Sequence, residues 1–364
     1  MAEKGQGNPA FFRESNTPAI GPITSVYFGG GTPSLMRPES AARVIEKIDR
    51  FFGLEAGAEI SIEANPKTVY LKKLRAFRAA GINRISIGAQ SLDDGRLRFL
   101  GRIHNADDAL RTIGDARKAF DNINADFIYA TPGQGFDDWA EELERIAALG
   151  PPHLSLYQLA LERGTPMRRT ARPIDDGLAA RMFEHTNRRL RRVCPQYEIS
   201  NYAKPGFECR HNVNYWNGGE YIGIGPAAAG RIRIGGRFFE TKNPAAPFIM
   251  RRDATGLSVD SGPRGRSASS LGPGRNDWTG EPILRPMTRR ARLREMLLSG
   301  LRMNRGIDFA EFEKNCGIGF WSAANRNKAE EFAELGLLST TDKKIRLLKR
   351  GRIVLDHLVC EIAL

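Results

Sequence analysis

The first part of this chain predicts an α/β fold: a parallel sheet of βα units, either open or curved into part of a barrel. Three observations carry that prediction. From about residue 23 to residue 160, short apolar runs alternate steadily with amphipathic helical stretches, the pattern of βαβ units. A Gly, Pro or polar cluster follows each apolar run, where a strand hands over to a helix. The length of 364 residues exceeds what one core usually serves, so a second, smaller unit is expected behind the sheet.

Residues 1–22 are polar, contain Gly and Pro and lack periodicity, which predicts a disordered lead. The barrel-like unit is expected over 23–250. Its strand candidates are Ser25–Phe28, Glu59–Ile62, Arg84–Ile87, Ala125–Tyr129 and His153–Tyr157. Pro38–Phe52 reads as a helix because Ala41, Val44, Ile45, Ile48 and Phe52 share one face. Pro66–Ala80 does so through Leu71, Leu74 and Phe77, with Gly81 as its stop. Asn105–Phe120 and Asp137–Leu149 repeat the pattern, the second closed by Gly150-Pro151. Beyond residue 160 come an arginine-rich helix, Asp176–Val193, a Gly- and aromatic-rich stretch from His211 to Arg231, and a β-hairpin turn at Gly235-Gly236. Residues 251–285 are dense in Gly, Ser, Pro and Arg and read as a flexible linker. Residues 286–364 alternate amphipathic helices with a basic strand pair near Leu338–Leu348, a small winged-helix-like unit.

A formal net charge of +13 suits an anionic partner, but solvated cationic helix faces such as Arg188–Arg192 and Arg289–Arg294 are the favoured explanation. No apolar stretch reaches the ~18 residues of a membrane span, and no signal-peptide core is present. A cytoplasmic protein without a membrane span is the expectation. The four cysteines, Cys194, Cys209, Cys316 and Cys360, are too scattered for a disulfide framework and read as reduced thiols.

In a parallel βα array, functional side chains collect at the carboxyl ends of the strands. Gly29-Gly30-Gly31-Thr32-Pro33 follows the first strand, Glu63-Ala64-Asn65-Pro66 closes the second, and Gly88-Ala89-Gln90-Ser91 closes the third. Asp126 lies within the next strand, with Thr131-Pro132-Gly133-Gln134 just after it. Each alone has a structural explanation, as a turn, a helix start or a satisfied polar group. One polar anchor per successive strand end is harder to obtain from structural need.

Together with Leu100-Gly101-Arg102-x-His104, these segments resemble the radical S-adenosylmethionine (SAM) group around oxygen-independent coproporphyrinogen III oxidase. Within it the likeness is greatest to the HemW-type haem chaperones. The resemblance implies a partial TIM-like βα barrel of the radical SAM type with a small carboxy-terminal domain. It also implies SAM binding by Gly30, Gly31, Thr32, Glu63, Gln90, Arg102 and Asp126. In that reading the glycines offer backbone groups to the SAM amino group, Glu63 and Asp126 accept hydrogen bonds, and Arg102 meets the carboxylate. The family's 4Fe-4S cluster is held by C-x3-C-x2-C upstream of the glycine run. No cysteine precedes Cys194 in this sequence, so cluster ligands are expected to be absent from it and radical chemistry is not expected of it.

A second constellation, His211-Asn212-x-x-Tyr215-Trp216, matches the family's HNxxYW signature, associated with haem. The resemblance makes His211 a candidate axial ligand to haem iron, with Asn212, Tyr215 and Trp216 about the porphyrin. A hydrogen-bonded turn and two core aromatics are the structural alternative. The family reads Gly-Pro-Gly-Ala-His-Gly where this chain has Gly225-Pro226-Ala227-Ala228-Ala229-Gly230, so a histidine is lost at Ala229. The expected function is that of a haem chaperone passing haem to an acceptor protein whose identity the sequence does not carry. The alternative is a coproporphyrinogen III oxidase, inactive in this form. A nucleic-acid binder using the basic carboxy-terminal unit ranks last, since no recognition signature supports it.

Overall fold

In a computed structural model of the chain, the described residues are 21–161, 166–244, 248–253, 256–261 and 283–363. The lead expected over 1–22 lies outside them except for Gly21 and Pro22. The chain divides into two compact units, one of residues 1–213 with 302–305 and one of residues 214–301 with 306–364.

The first unit runs β1 (Ile23–Phe28), α1 (Pro38–Phe52), β2 (Leu54–Ala64), α2 (Leu71–Ala79), β3 (Arg84–Gln90), α3 (Asp94–Phe99), α4 (Ala106–Arg117), β4 (Asn122–Tyr129), α5 (Phe136–Leu149), β5 (His153–Gln158), α6 (Pro166–Thr170), α7 (Asp176–Leu190) and β6 (Asn201–Ala203). Its strands form one six-stranded sheet in the order β1-β2-β3-β4-β5-β6. The first five are mutually parallel and β6 returns antiparallel along β5. The α/β fold class with its curled parallel sheet is therefore as the sequence predicts.

Side chains alternate across each strand, and here the two faces differ sharply. Ile60, Ile62, Ile85, Ile87, Ile123, Ala125, Phe127, Leu154 and Leu156 face the helices, where Leu74, Phe77, Ile113, Trp139 and Ile146 complete one buried core. Burial of each such side chain contributes roughly 1.5–3 kcal/mol. The intervening positions are polar. Register places Glu63 beside Ser86, Ser86 beside Asn124, and Asn124 beside His153, a polar line across four strands.

Helix starts carry their own signals. Asp93 accepts from the Arg96 amide, Asp175 from the Leu178 amide, and Asn105 and Asp108 form a reciprocal capping box, each cap contributing about 1 kcal/mol. Three helices are shorter than predicted, one of them the helix expected over Asn105–Phe120, which ends at Arg117. The expected helix over 66–80 begins as a 3-10 turn at Pro66–Thr68, and Val69 and Tyr70 are extended before α2 starts. The arginine-rich helix stops at Leu190 rather than 193. Strand β2 starts earlier than its apolar run suggested, because Leu54 pairs with Ile23 before a register shift in the ladder.

Helix α8 (Arg210–Trp216) spans the boundary between the units. In the second unit, β7 (Ala229–Ile234) and β8 (Arg237–Lys242) form the predicted hairpin, with Gly235 and Gly236 both at positive φ. The segment expected as a linker over 251–285 is partly structured. β9 (Phe248–Asp253) pairs antiparallel with β10 (Gly256–Ser261), and β11 (Ile283–Pro286) pairs with β8. These strands pair through their backbones, which the Gly, Ser and Arg content that suggested a linker does not register. Residues 262–282 of that expectation lie outside the described residues.

The rest comprises α9 (Arg289–Arg302), β12 (Ile307–Asp308), α10 (Phe309–Cys316), α11 (Arg326–Glu334), β13 (Leu338–Thr340), β14 (Lys344–Leu347) and α12 (Leu355–Ile362). A small antiparallel sheet in the order β12-β14-β13 accompanies these helices, around buried Phe312, Phe332, Ile345 and Leu358. The carboxy-terminal segment thus carries helices and a small sheet of its own. Residues 302–305, at and just beyond the end of α9, belong to the first unit, where Arg302 Nη2 donates to the buried Glu198 Oε2 at 3.2 Å.

Candidate functional site

The polar face of the first unit opens at the carboxyl ends of β1–β5 into a cavity of about 310 Å³. Gly31, Glu63, Gln90, Arg102 and Asp126, taken from the sequence as one cofactor site, all line it. Gly30 and Thr32 contact its lining residues instead. Gly30 and Gly31 have φ of 81° and 58°, the left-handed region that side chains disfavour. Glu63 holds this turn in place. Its Oε1 accepts from the Tyr27 hydroxyl at 3.0 Å and its Oε2 from the Gly30 amide at 3.3 Å. The Gly30 N–H, expected to be open to a ligand, is thus directed to Glu63. Thr32 Oγ1 accepts from Asn65 Nδ2 at 3.4 Å, and Asn65 itself lines the cavity.

Gln90 ends β3 at φ 68°, a conformation a non-glycine residue holds only where its surroundings impose it. A Cβ on Gly88 would come within 2.8 Å of Gln90 Nε2, so the missing side chain there makes room for the amide. Arg102 follows Gly101, whose φ of 68° closes α3, and the Arg102 amide donates to Leu97 O at 2.9 Å. His104 then pins the segment to β3, its Nε2 lying 2.9 Å from Ala89 O. Among the described residues, the buried Nε of Arg102 has no hydrogen-bond partner. Burial lowers the Arg102 pKa and the nearby Asp126 charge opposes that shift. A partly desolvated cation with an open donor suits a carboxylate.

Asp126 is the other pole. Burial raises its pKa, while hydrogen bonds from Ser155, Asn124 and Ser86 and the charge of Arg84 pull it back. Ser86 Oγ donates to Asp126 Oδ2 at 3.0 Å and Asn124 Nδ2 to Asp126 Oδ1 at 2.7 Å. The cavity therefore offers an acceptor carboxylate at Asp126, a donor cation at Arg102 and a bifunctional amide at Gln90. That set complements a ligand with hydroxyl or ammonium donors at one end and a carboxylate at the other.

Sequence reading missed Tyr27, Ser86 and Tyr157 in the lining and Arg84, Asn124 and His153 behind it. Their signal was period-two polarity within strands, as in Glu59-x-Ser61-x-Glu63, Asn122-x-Asn124-x-Asp126 and His153-x-Ser155-x-Tyr157.

Of the second predicted constellation, His211 and Asn212 lie in the first unit and Tyr215 and Trp216 in the second, along α8. The His211 imidazole stacks on the Tyr27 ring, centroids 4.5 Å apart and planes 18° from parallel. Burial, aided by the Arg84 charge, brings the His211 pKa down to about 4, which leaves the ring neutral at pH 7. Tyr215 packs on Tyr221, centroids 4.1 Å apart.

Residues 14–146 match the family described as the Radical SAM superfamily, and residues 287–354 match the HemN C-terminal domain. "Radical S-adenosyl methionine domain-containing protein 1, mitochondrial" of Mus musculus is 36% identical over 348 residues, covering 93% of this chain and 75% of that protein. "Heme chaperone HemW" of Mycobacterium tuberculosis (strain CDC 1551 / Oshkosh) is 33% identical over 345 residues, covering 93% of this chain and 80% of that one. The chain belongs to the HemN/HemW-like family of radical SAM proteins. The solved structure of coproporphyrinogen III oxidase (HemN) from Escherichia coli has the same fold, with a TM-score of 0.69 at 22% identity over 93% of this chain and 77% of that one.

Membership of the HemN/HemW-like family implies SAM and a 4Fe-4S cluster. The cavity's charge pattern fits SAM. The cluster needs three thiolates together, and among the described residues no three His, Cys, Asp or Glu side chains are placed to hold a metal ion. Cys194 and Cys209 are buried, their thiols pushed up to about 12 and about 11 by burial. The described residues do not fit the cluster. No helix among them is long and apolar enough to cross a membrane.

Proposed function

We propose that this protein is a haem chaperone of the HemW type, with SAM held in the cavity of the first unit and haem taken up at the helix that carries His211. The observation that carries the reading is the convergence of Arg102, with its open Nε, and Asp126, with its fixed carboxylate, on one cavity of about 310 Å³. At one end the SAM carboxylate meets Arg102. Gln90 and Asp126 take the ribose hydroxyls, and Glu63, already fixed by Tyr27, keeps lone pairs for the amino group. Bound SAM supplies a charged nucleoside sulfonium.

Haem enters as cargo. A neutral imidazole at His211 is the protonation state that ligates iron, and the relatives named heme chaperone HemW support haem as the molecule carried. The proposed acceptor is a haem-receiving protein. The relative named mitochondrial leaves the cytoplasmic expectation without support from that comparison.

Calorimetric titration with S-adenosylhomocysteine and spectroscopic titration with haem test the two halves separately. Saturable heat is expected in the first, and in the second a Soret shift that His211→Ala removes. No heat would end the SAM assignment, and identical haem spectra for the two proteins would end that of His211.

A further inference from the structure

A row of buried polar side chains runs back from the cavity lining, where Ser86 and Asp126 stand, to Asn124 and His153 behind it. Asn124 is its centre. Its Nδ2 donates to Ser86 Oγ and to Asp126 Oδ1, both at 2.7 Å. Its Oδ1 accepts from His153 Nδ1 at 2.6 Å and lies 3.1 Å from Ser155 Oγ. His153 Nε2 lies 3.0 Å from the Tyr197 hydroxyl. His153, Asn124, Ser86 and Ser155 are all buried.

The proton positions in this row are not independent. An ionised Asp126 needs donors, so the Asn124 amide must turn its NH2 toward it. Turned the other way, an amide oxygen would face a carboxylate, two acceptors in contact. With the amide so oriented, its oxygen requires a proton on His153 Nδ1. The His153 ring is kept neutral by burial and by the Arg84 cation, so Nε2 is left as an acceptor for the Tyr197 hydroxyl. Every donor along the row then points from Tyr197 toward Asp126. Arg84, Tyr197 and Asn124 are the charged and polar groups that face the ring.

We infer that Tyr197, His153 and Asn124 form a directional hydrogen-bond relay that holds the Asp126 carboxylate in place and aimed into the cavity. His153 is thus a positioning residue for ligand recognition although it touches no ligand. This inference rests on the proposed occupancy of the cavity by SAM. A relay of this kind removes the carboxylate's rotational freedom before the ligand arrives, so less entropy is lost on binding.

The test is a thermodynamic cycle read by S-adenosylhomocysteine binding. His153→Leu is expected to weaken binding about tenfold or more, the usual scale for loss of an outer partner. His153→Asn, whose amide places an N–H where Nδ1 was, is expected to restore most of the affinity. In an Asp126→Ala background, His153→Leu is expected to have no further effect. A purely structural role would instead make the two effects multiply, and that result, or unchanged affinity in His153→Leu, overturns the relay while leaving the SAM assignment standing. If the wild-type protein binds no S-adenosylhomocysteine, both fall. Should His153→Leu fail to fold, ¹⁵N shifts of the His153 ring in the wild-type protein decide the matter. An Nδ1–H tautomer persisting from pH 5 to 8 is expected, and an Nε2–H tautomer overturns the relay.

Discussion

Tyr27 joins the two predicted constellations, since its ring carries the His211 imidazole at a centroid distance of 4.5 Å while its hydroxyl donates to Glu63. One consequence is a pH dependence. The folded-state pKa of His211 is about 4, below the ordinary value of 6.5. The unfolded chain therefore takes up a proton first as pH falls, and stability drops. The contribution of this group is complete above pH 6.5 and is lost between there and pH 4, up to about 3 kcal/mol. Urea midpoints across that window are expected to fall less steeply in His211→Asn. Equal slopes would show that the ring is not desolvated.

Arg102 is expected to recognise a carboxylate and nothing else on the ligand. Replacing it with Met removes a charge-assisted hydrogen bond worth about 1.5–3 kcal/mol. Binding of S-adenosylhomocysteine should weaken about ten- to hundredfold. Binding of 5′-methylthioadenosine, which lacks the carboxylate, should be unchanged. A matching loss for both ligands would assign Arg102 a structural role.

Gly88 is expected to matter through Gln90 alone. Gly88→Ala puts a methyl group 2.8 Å from Gln90 Nε2. The obstacle is the end of a flexible side chain, so the melting temperature should change little. The amide must leave its place, and nucleoside affinity should fall several-fold. If affinity holds and stability falls, the strained φ of Gln90 serves the strand end rather than the ligand.

Ala227 lies at φ 57°, where the family's Gly-Pro-Gly-Ala-His-Gly pattern has a glycine. A side chain in the left-handed region costs roughly 1–2 kcal/mol. Ala227→Gly is expected to recover about 1 kcal/mol, because the added backbone freedom of the unfolded chain offsets part of the relief. Chemical denaturation measures this directly.

How much of this was visible in the residue order differs by element. Strand ends were legible at Gly29–Pro33 and Glu63–Pro66 because Gly and Pro change backbone preference abruptly, and anchors placed there also gather in space. Helix α1 was legible to the residue, since a proline opens it and its apolar face is continuous. The inner row was not. His153, Asn124 and Arg84 occupy alternate positions in strands whose other face is strongly apolar, and only the sheet register brings them side by side. The pairing of β9 with β10 was invisible for a different reason, because backbone hydrogen bonds leave no mark on composition. The division of α8 between two units also has no local signal, as nothing in Arg210–Trp216 interrupts the helix.

The opposed faces of the sheet also bear on how this fold tolerates change in chain length. Adding one residue inside β4 would invert everything beyond it, sending Asp126 among the helix-facing isoleucines and Phe127 into the polar cavity. Gains and losses of sequence should therefore collect in the connecting loops, while the strands of natural variants keep a constant count.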